Sequence, residues 1–398
     1  MFRKSFVKIA FVSGGNILNA GIGFFFLAVV AKTLSLEDFG KYALLTSILL
    51  VCVKLIDFGS NSIYVTKYLT NEDDKSITET FHSLKIILLS VVALVSLGIV
   101  NYFFPTNVWL SLIFVAGLVA YTINFTFYAH FQKEEKYTQL ILLNTLPALV
   151  KTIAAVFVLL NTIHLNLVNA FAFFSLSIFA DVILFPFLPE GAKHFKFNFT
   201  HVRTFIVKGL PSGFSQLVQE AWPAINNTIT KYVRNYNDVG TFSLASKISN
   251  IFALVSLSIF TVLLPKNARL KGQKKTYDIG ETILISFGII ILAFLAIAVS
   301  GVFIKLVFGE KFEGSIKVLD ILIFASAFSA IHTFMENYFL VENQTKNILW
   351  VNVSKLVVFM IAALILSRQF GIEGLAYANL LAATTALIVT GVTIARYH

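Results

Sequence analysis

Glu37-Asp38-Phe39-Gly40-Lys41-Tyr42-Ala43-Leu44-Leu45 returns 200 residues later as Asn237-Asp238-Val239-Gly240-Thr241-Phe242-Ser243-Leu244-Ala245. Each copy follows a polar-spotted apolar stretch and opens another. The register extends upstream, where Asn16 and Asn19 fall opposite Gln216 and Gln219, and downstream, where the segment ending at Lys67 falls opposite the one ending at Lys266. A half-length repeat in a strongly apolar chain is the pattern of a transporter built from two similar bundles with a path between them.

Composition supports that reading. Apolar residues make up 57% of the 398 and charged residues 13%, against roughly 45–50% and about 25% in ordinary globular chains. A bilayer is crossed by about 20 residues of helix. Stretches near 9–31, 42–66, 83–104, 108–130, 139–160, 166–188, 206–231, 239–264, 280–304, 317–340, 348–367 and 373–395 are long enough. The predicted fold class is an all-α polytopic membrane protein of about 12 transmembrane helices. Its two pseudo-symmetric six-helix halves are expected over residues 1–190 and 191–398, leaving no room for a soluble domain.

Basic residues orient the chain. Of its 31 lysines and arginines, 19 fall on the side of the N-terminus, Lys85 counted among them, and 8 fall on the opposite side. The positive-inside bias predicts that both termini are cytoplasmic and that the halves run parallel. The net charge of +10 comes from loops facing anionic headgroups and needs no nucleic-acid partner. The first apolar stretch follows Arg3, Lys4 and Lys8, but its length and its Asn16 and Asn19 argue for retention in the membrane over a cleaved signal. Cys52 is the single cysteine and the seven histidines lack ligand spacing, so no disulfide, metal or other cofactor is expected.

The remaining four cations, Lys54, Lys151, Lys247 and Lys355, lie within apolar stretches. Each costs about 2.5–3.5 kcal/mol facing lipid at mid-depth. They should therefore face the bundle interior, a wet cavity or an acid; Asp57, Asp181, Glu220 and Glu336 are the candidates. Lys54 and Asp57, three apart on one helical face, are candidates to pair with each other. Lys151 and Lys247 have no acid within a turn, and a phosphate-bearing substrate is one anion that would satisfy them. Structural ion pairing is the alternative. Helix one carries Ser13-Gly14-Gly15-Asn16 and Asn19; helix seven carries Pro211-Ser212-Gly213, Gln216, Gln219, Glu220, Pro223, Asn226 and Asn227. Gly and Pro kink helices and leave carbonyls needing polar company. The matched positions point to a cavity wall or gate, with helix–helix glue as the alternative.

Several stretches, in order along the chain, resemble the polysaccharide transporter family of oligosaccharide flippases, within the superfamily that also holds the multidrug MATE exporters. They are Lys32-Thr33-Leu34-Ser35-Leu36-Glu37-Asp38-Phe39-Gly40-Lys41-Tyr42, Ile56-Asp57-Phe58-Gly59, Val239-Gly240-Thr241-Phe242-Ser243-Leu244-Ala245 and Leu263-Leu264-Pro265. Val307-Phe308-Gly309-Glu310-Lys311-Phe312 and Phe370-Gly371-Ile372-Glu373-Gly374-Leu375-Ala376 complete the set. The resemblance implies a flippase of the bacterial inner membrane, not an enzyme. Its substrate would be an undecaprenyl-pyrophosphate-linked oligosaccharide, an O-antigen, capsule or exopolysaccharide unit, moved by alternating access. Asn16, Asn19, Gln216, Gln219, Glu220, Asn226 and Asn227 would line the sugar path, and Lys54, Lys151 and Lys247 would attract the pyrophosphate. Asp57, Asp181 and Glu220 would serve as ion-pair or coupling acids. Membrane lipids, and a polysaccharide polymerase and chain-length proteins, are the implied partners. The rival readings are a MATE-like multidrug antiporter and a membrane polysaccharide polymerase or ligase. The short external connections, the longest about 12 residues, leave little room for the surface catalysis the last would need.

Overall fold

The structure is a computed structural model that describes residues 19, 21–66, 74–193, 196–250, 279–341 and 345–397. Asn16, Lys67, Leu263-Leu264-Pro265 and Lys266 lie outside the described residues. The chain divides into two compact units, Met1–Ile225 and Asn226–His398.

In the first unit the elements are α1 (Gly21–Thr33), α2 (Leu36–Asp57), α3 (Ser60–Val65), α4 (Asp74–Phe103), α5 (Val108–Lys133), α6 (Tyr137–Leu159) and α7 (Leu167–Leu176). A 3-10 run over Ser177–Phe187 and a single turn, α8 (Glu190–Lys193), follow, and α9 (Val202–Val233) carries the chain into the second unit. That unit holds α10 (Tyr236–Ser249), α11 (Ile279–Phe308), α12 (Ser315–Val341) and α13 (Thr345–Tyr397). Eight described helices are long and apolar enough to cross a membrane; α9 and α10, rich in amides and hydroxyls, are not among them. Large apolar side chains on these helices face outward, Leu94 at 73% exposed and Leu306 at 77%. A soluble monomer does not expose apolar surface on that scale; hydrocarbon is the solvent these faces match. The protein is a polytopic all-α membrane protein.

The repeat builds the same local structure twice. Ser35 accepts from the Asp38 amide at 3.1 Å and Asn235 from the Asp238 amide at 3.0 Å, so each copy opens a helix with an N-cap at the same register position. Glu37 and Asp38 sit in the first turn of α2, where the helix dipole favours anions. Phe39, Tyr42, Leu44 and Leu45 are buried in the first unit, as Val239, Phe242, Leu244 and Ala245 are in the second.

α2 is the inner helix of its unit and packs on α4, α5 and α7. The sequence predicts one helix over 42–66; the chain instead breaks at Phe58 and Gly59, whose φ values are +39° and +75°. The Phe58 amide closes α2 on the Lys54 carbonyl, and α3 starts on a new course. The reason is a close approach to α9. A Cβ on Gly59 would lie 2.2 Å from the Gly209 carbonyl oxygen, and one on Gly213 would lie 2.5 Å from the Phe58 carbonyl carbon. Gly209 and Gly213, one turn apart, form the small-residue groove that membrane helices use to bring backbones together. In the second unit α12 packs against α10, α11 and α13. The predicted helices over 348–367 and 373–395 are the two arms of α13, bent at Gly371 with φ +61°.

Candidate functional site

Asp57 stands at the end of α2, where the break turns its carboxylate inward. Its partner is not Lys54, as the spacing suggested, but Lys85, at 2.6 Å. Lys85, counted with the basic residues of the N-terminal side although the 83–104 stretch holds it, is no surface charge: α4 begins at Asp74, and Lys85 lies well within this membrane-spanning helix. Asp57 also accepts from the Asn61 backbone amide at 3.3 Å, locking the first turn of α3 to the end of α2. Desolvating two charges is repaid only when geometry is good and other hydrogen bonds complete the shell. Here they do, and Asp57 is a structural centre of the break.

Lys54 is thereby left for other work. Its Nζ lies 4.6 Å from the Phe125 ring centroid and 3.5 Å from Gln216 Oε1 on α9. Lys151, on α6, is set 4.8 Å over the Phe174 ring. That ring contacts Tyr121 at 6.4 Å between centroids and Tyr42 at 6.0 Å. Tyr121, Asn124 and Phe125 lie at helical spacing on one face of α5. Asn124 donates to Asp181 at 2.7 Å, and Asp181, fully buried, has one carboxylate oxygen with no hydrogen-bond partner. One α5 face thus carries Phe125 against Lys54, Tyr121 against the ring beneath Lys151, and Asn124 against Asp181. Both lysines are half-buried and are met by aromatic faces and an amide, interactions weaker than a carboxylate pair. Among the described residues neither lysine has a carboxylate within 4 Å; the acid whose charge reaches Lys151 is Asp181, from beyond ion-pair distance.

The other expected residues are distributed as follows. Asn19 is half-buried, and both its amide atoms are buried without a partner among the described residues. Gln219 is exposed and Glu220 half-buried on α9. Asn226 and Asn227 are buried in the second unit, where Asn226 and Asn379 exchange amide hydrogen bonds of 3.1 and 3.5 Å. Lys247 is half-buried in the last turn of α10. Glu336 accepts from Asn352, and Lys355 donates to Ser329. Sequence reasoning missed Lys85, Tyr121, Asn124, Phe125, Phe174 and Asn379. The i, i+3, i+4 spacing of Tyr121, Asn124 and Phe125 was the available signal. It also missed a buried chain in which Thr78, Tyr64, His130 and His82 are hydrogen-bonded in series at 2.8–3.0 Å.

Comparison with known proteins supplies the class. A model of the family described as "Polysaccharide biosynthesis protein" matches residues 6–271, and the chain belongs to that family. Its fold is shared with solved structures of membrane transporters. The structure of a lipid II flippase, MurJ, in an inward closed conformation superposes with a TM-score of 0.71 at 16% identity, over 96% of this chain and 87% of that one. An inward-facing multidrug resistance MATE family transporter superposes with a TM-score of 0.70 at 13% identity, over 95% of each chain. A eukaryotic MATE transporter reaches 0.58 at 13%, over 99% and 96%. No curated protein matches this chain in sequence.

Proposed function

We propose that this protein flips an undecaprenyl-pyrophosphate-linked oligosaccharide, an O-antigen, capsule or exopolysaccharide repeat unit, from the inner to the outer leaflet of a bacterial inner membrane. The observation that carries the reading is the pair of lysines, Lys54 over the Phe125 ring of α5 and Lys151 over the Phe174 ring of α7, a ring that touches Tyr121 on the same α5 face. In a low-dielectric interior charge interactions are far stronger than in water, so two such cations favour a pyrophosphate. The amides of Asn19, Gln216, Gln219, Asn226 and Asn227, with Asn16 and Glu220, suit a hydroxyl-rich headgroup. Lys247 is the third proposed cation, and Asp181 the proposed coupling acid. The working halves are residues 1–190 and 191–398, rocking about a midplane site by alternating access with both termini cytoplasmic. A polysaccharide polymerase and chain-length proteins are the proposed downstream partners.

The MATE-like fold favours a multidrug antiporter as a second reading. The cation pair argues against the cationic drugs such an exporter would carry. Reconstitution distinguishes the two. In proteoliposomes, protein-dependent movement of a polyprenyl-pyrophosphate-linked oligosaccharide to the leaflet accessible to a glycan-modifying enzyme supports the flippase. Transport of an organic cation without such movement overturns it.

A further inference from the structure

At the end of α9 and around the bend of α13 lies a cavity of about 540 Å³, lined by Ile229, Tyr232, Val233, Arg234, Leu364 and Arg368. All six belong to the second unit. The bend makes this site. Gly371 adopts φ +61°, and a Cβ there would sit 2.9 Å from Nε and Nη2 of Arg234. The missing side chain therefore leaves room for the Arg234 guanidinium against the bend, three residues from Arg368.

Among the described residues, neither arginine has a carboxylate within 4 Å. The acid whose charge acts on Arg234 is Asp238, beyond ion-pair distance. The nearby Glu373 is engaged by Lys317 at 2.7 Å. Two forked guanidinia with no carboxylate at ion-pair distance suit a phosphate, which they can grip in bidentate fashion. Ile229, Val233 and Leu364 make the apolar part of the lining, with Tyr232 beside them. Ile229 precedes Arg234 by five residues on α9, and Leu364 precedes Arg368 by four on α13. At 1.5 Å per residue Ile229 and Leu364 are set back roughly 6–8 Å along their helices from Arg234 and Arg368, with Val233 directly beside Arg234. Leu364 is half exposed, open to hydrocarbon. The charged rim and the apolar wall thus have the spacing of an amphiphile's phosphate and the start of its chain.

We propose that Arg234 and Arg368 form a binding site for the phosphate of a membrane lipid, whose hydrocarbon chain lies on Ile229, Val233 and Leu364. The site is separate from the Lys54 and Lys151 face and does not depend on the flippase reading. The lipid phosphate has two sources, an anionic phospholipid or a polyprenyl phosphate, and the experiment separates them.

The test is native mass spectrometry of the purified full chain in detergent, titrated in separate arms with phosphatidylglycerol, undecaprenyl phosphate and inorganic pyrophosphate. One or both lipids are expected to bind, with the preferred one naming the source. R234Q and R368Q should each weaken that binding roughly tenfold, as loss of a charge-assisted hydrogen-bonding group implies. Leu364→Asp keeps both arginines but adds a repelling carboxylate, and should weaken it as well. Pyrophosphate, lacking a chain, should bind more weakly than the lipid. Lipid binding unchanged in the R234Q/R368Q double variant, or pyrophosphate binding as tightly as lipid, overturns the proposal.

Discussion

Lys85 donates to an Asp57 carboxylate oxygen at 2.6 Å, and each side chain is only 3% exposed. The pair joins α4 to the break between α2 and α3. D57N and K85M each strand one buried charge, and each is expected to cost about 3–5 kcal/mol. K85M/D57L, which removes both charges, should recover much of that loss. Recovery should be incomplete, because the Asn61 amide loses its acceptor. Thermal unfolding of the purified variants in detergent checks this. Additive losses in the double variant would show that the two residues act independently.

The α2 break depends on the absence of side chains opposite it. An alanine at Gly213 would force its Cβ against the Phe58 carbonyl, backbone against backbone. G213A should destabilise by about 1–3 kcal/mol, the usual range for overpacking. Gly98, with nothing within 4 Å of a built Cβ, is the control. G98A should be neutral or stabilising by up to about 1 kcal/mol, since it relieves a glycine inside a helix. Protein recovered per cell and the unfolding temperature report both.

These cases show where sequence reading reached and where it stopped. Hydropathy and the 200-residue register are local or periodic signals, so the all-α membrane class and the matched N-caps at Ser35 and Asn235 were legible. Lys54 and Lys151 stood out in the sequence as candidates, because a lysine inside an apolar run is costly on composition alone. The partner of Asp57 was not, because a contact between α2 and α4 has no sequence spacing. Lys85 was hidden by its place near a predicted helix start. The expected stretch, 83–104, holds Lys85 at its very start, where a lysine reads as a cytoplasmic charge; α4 begins at Asp74 and sets it eleven residues into the helix. The break at Phe58 is a tertiary consequence of Gly209 and Gly213, 150 residues away, and a bulky residue at positive φ has no local signature.

Asn226 and Asn379 are both buried, and each donates to the other's amide oxygen. Either single alanine leaves a polar group short of a partner at a cost of about 1–3 kcal/mol. N226A/N379A should cost less than the sum of the two singles, by about 0.5–3 kcal/mol of coupling. A double-mutant cycle on unfolding midpoints measures that term. Zero coupling would mean that the reciprocal bonds carry no stability of their own.

Lys151 is where the transport reading is most exposed to test. It rests on the Phe174 ring and has no carboxylate within 4 Å among the described residues. Asp181 is the one acid whose charge reaches it, and Asp181 keeps its hydrogen bond from Asn124, so removing the lysine charge should break no ion pair. K151A should abolish most export of the surface glycan, with lipid-linked intermediate accumulating and protein abundance unchanged. K151R should retain part of the activity, because the charge and the ring contact survive while the hydrogen-bonding geometry changes. Surface polysaccharide and accumulated intermediate, each normalised to transporter level, are the readouts. A lysine that merely holds helices together behaves otherwise: alanine would lower abundance and export in parallel. Full export by an abundant K151A protein would remove Lys151 from the anion path and leave Lys54, with Gln216 beside it, as the cation to examine next.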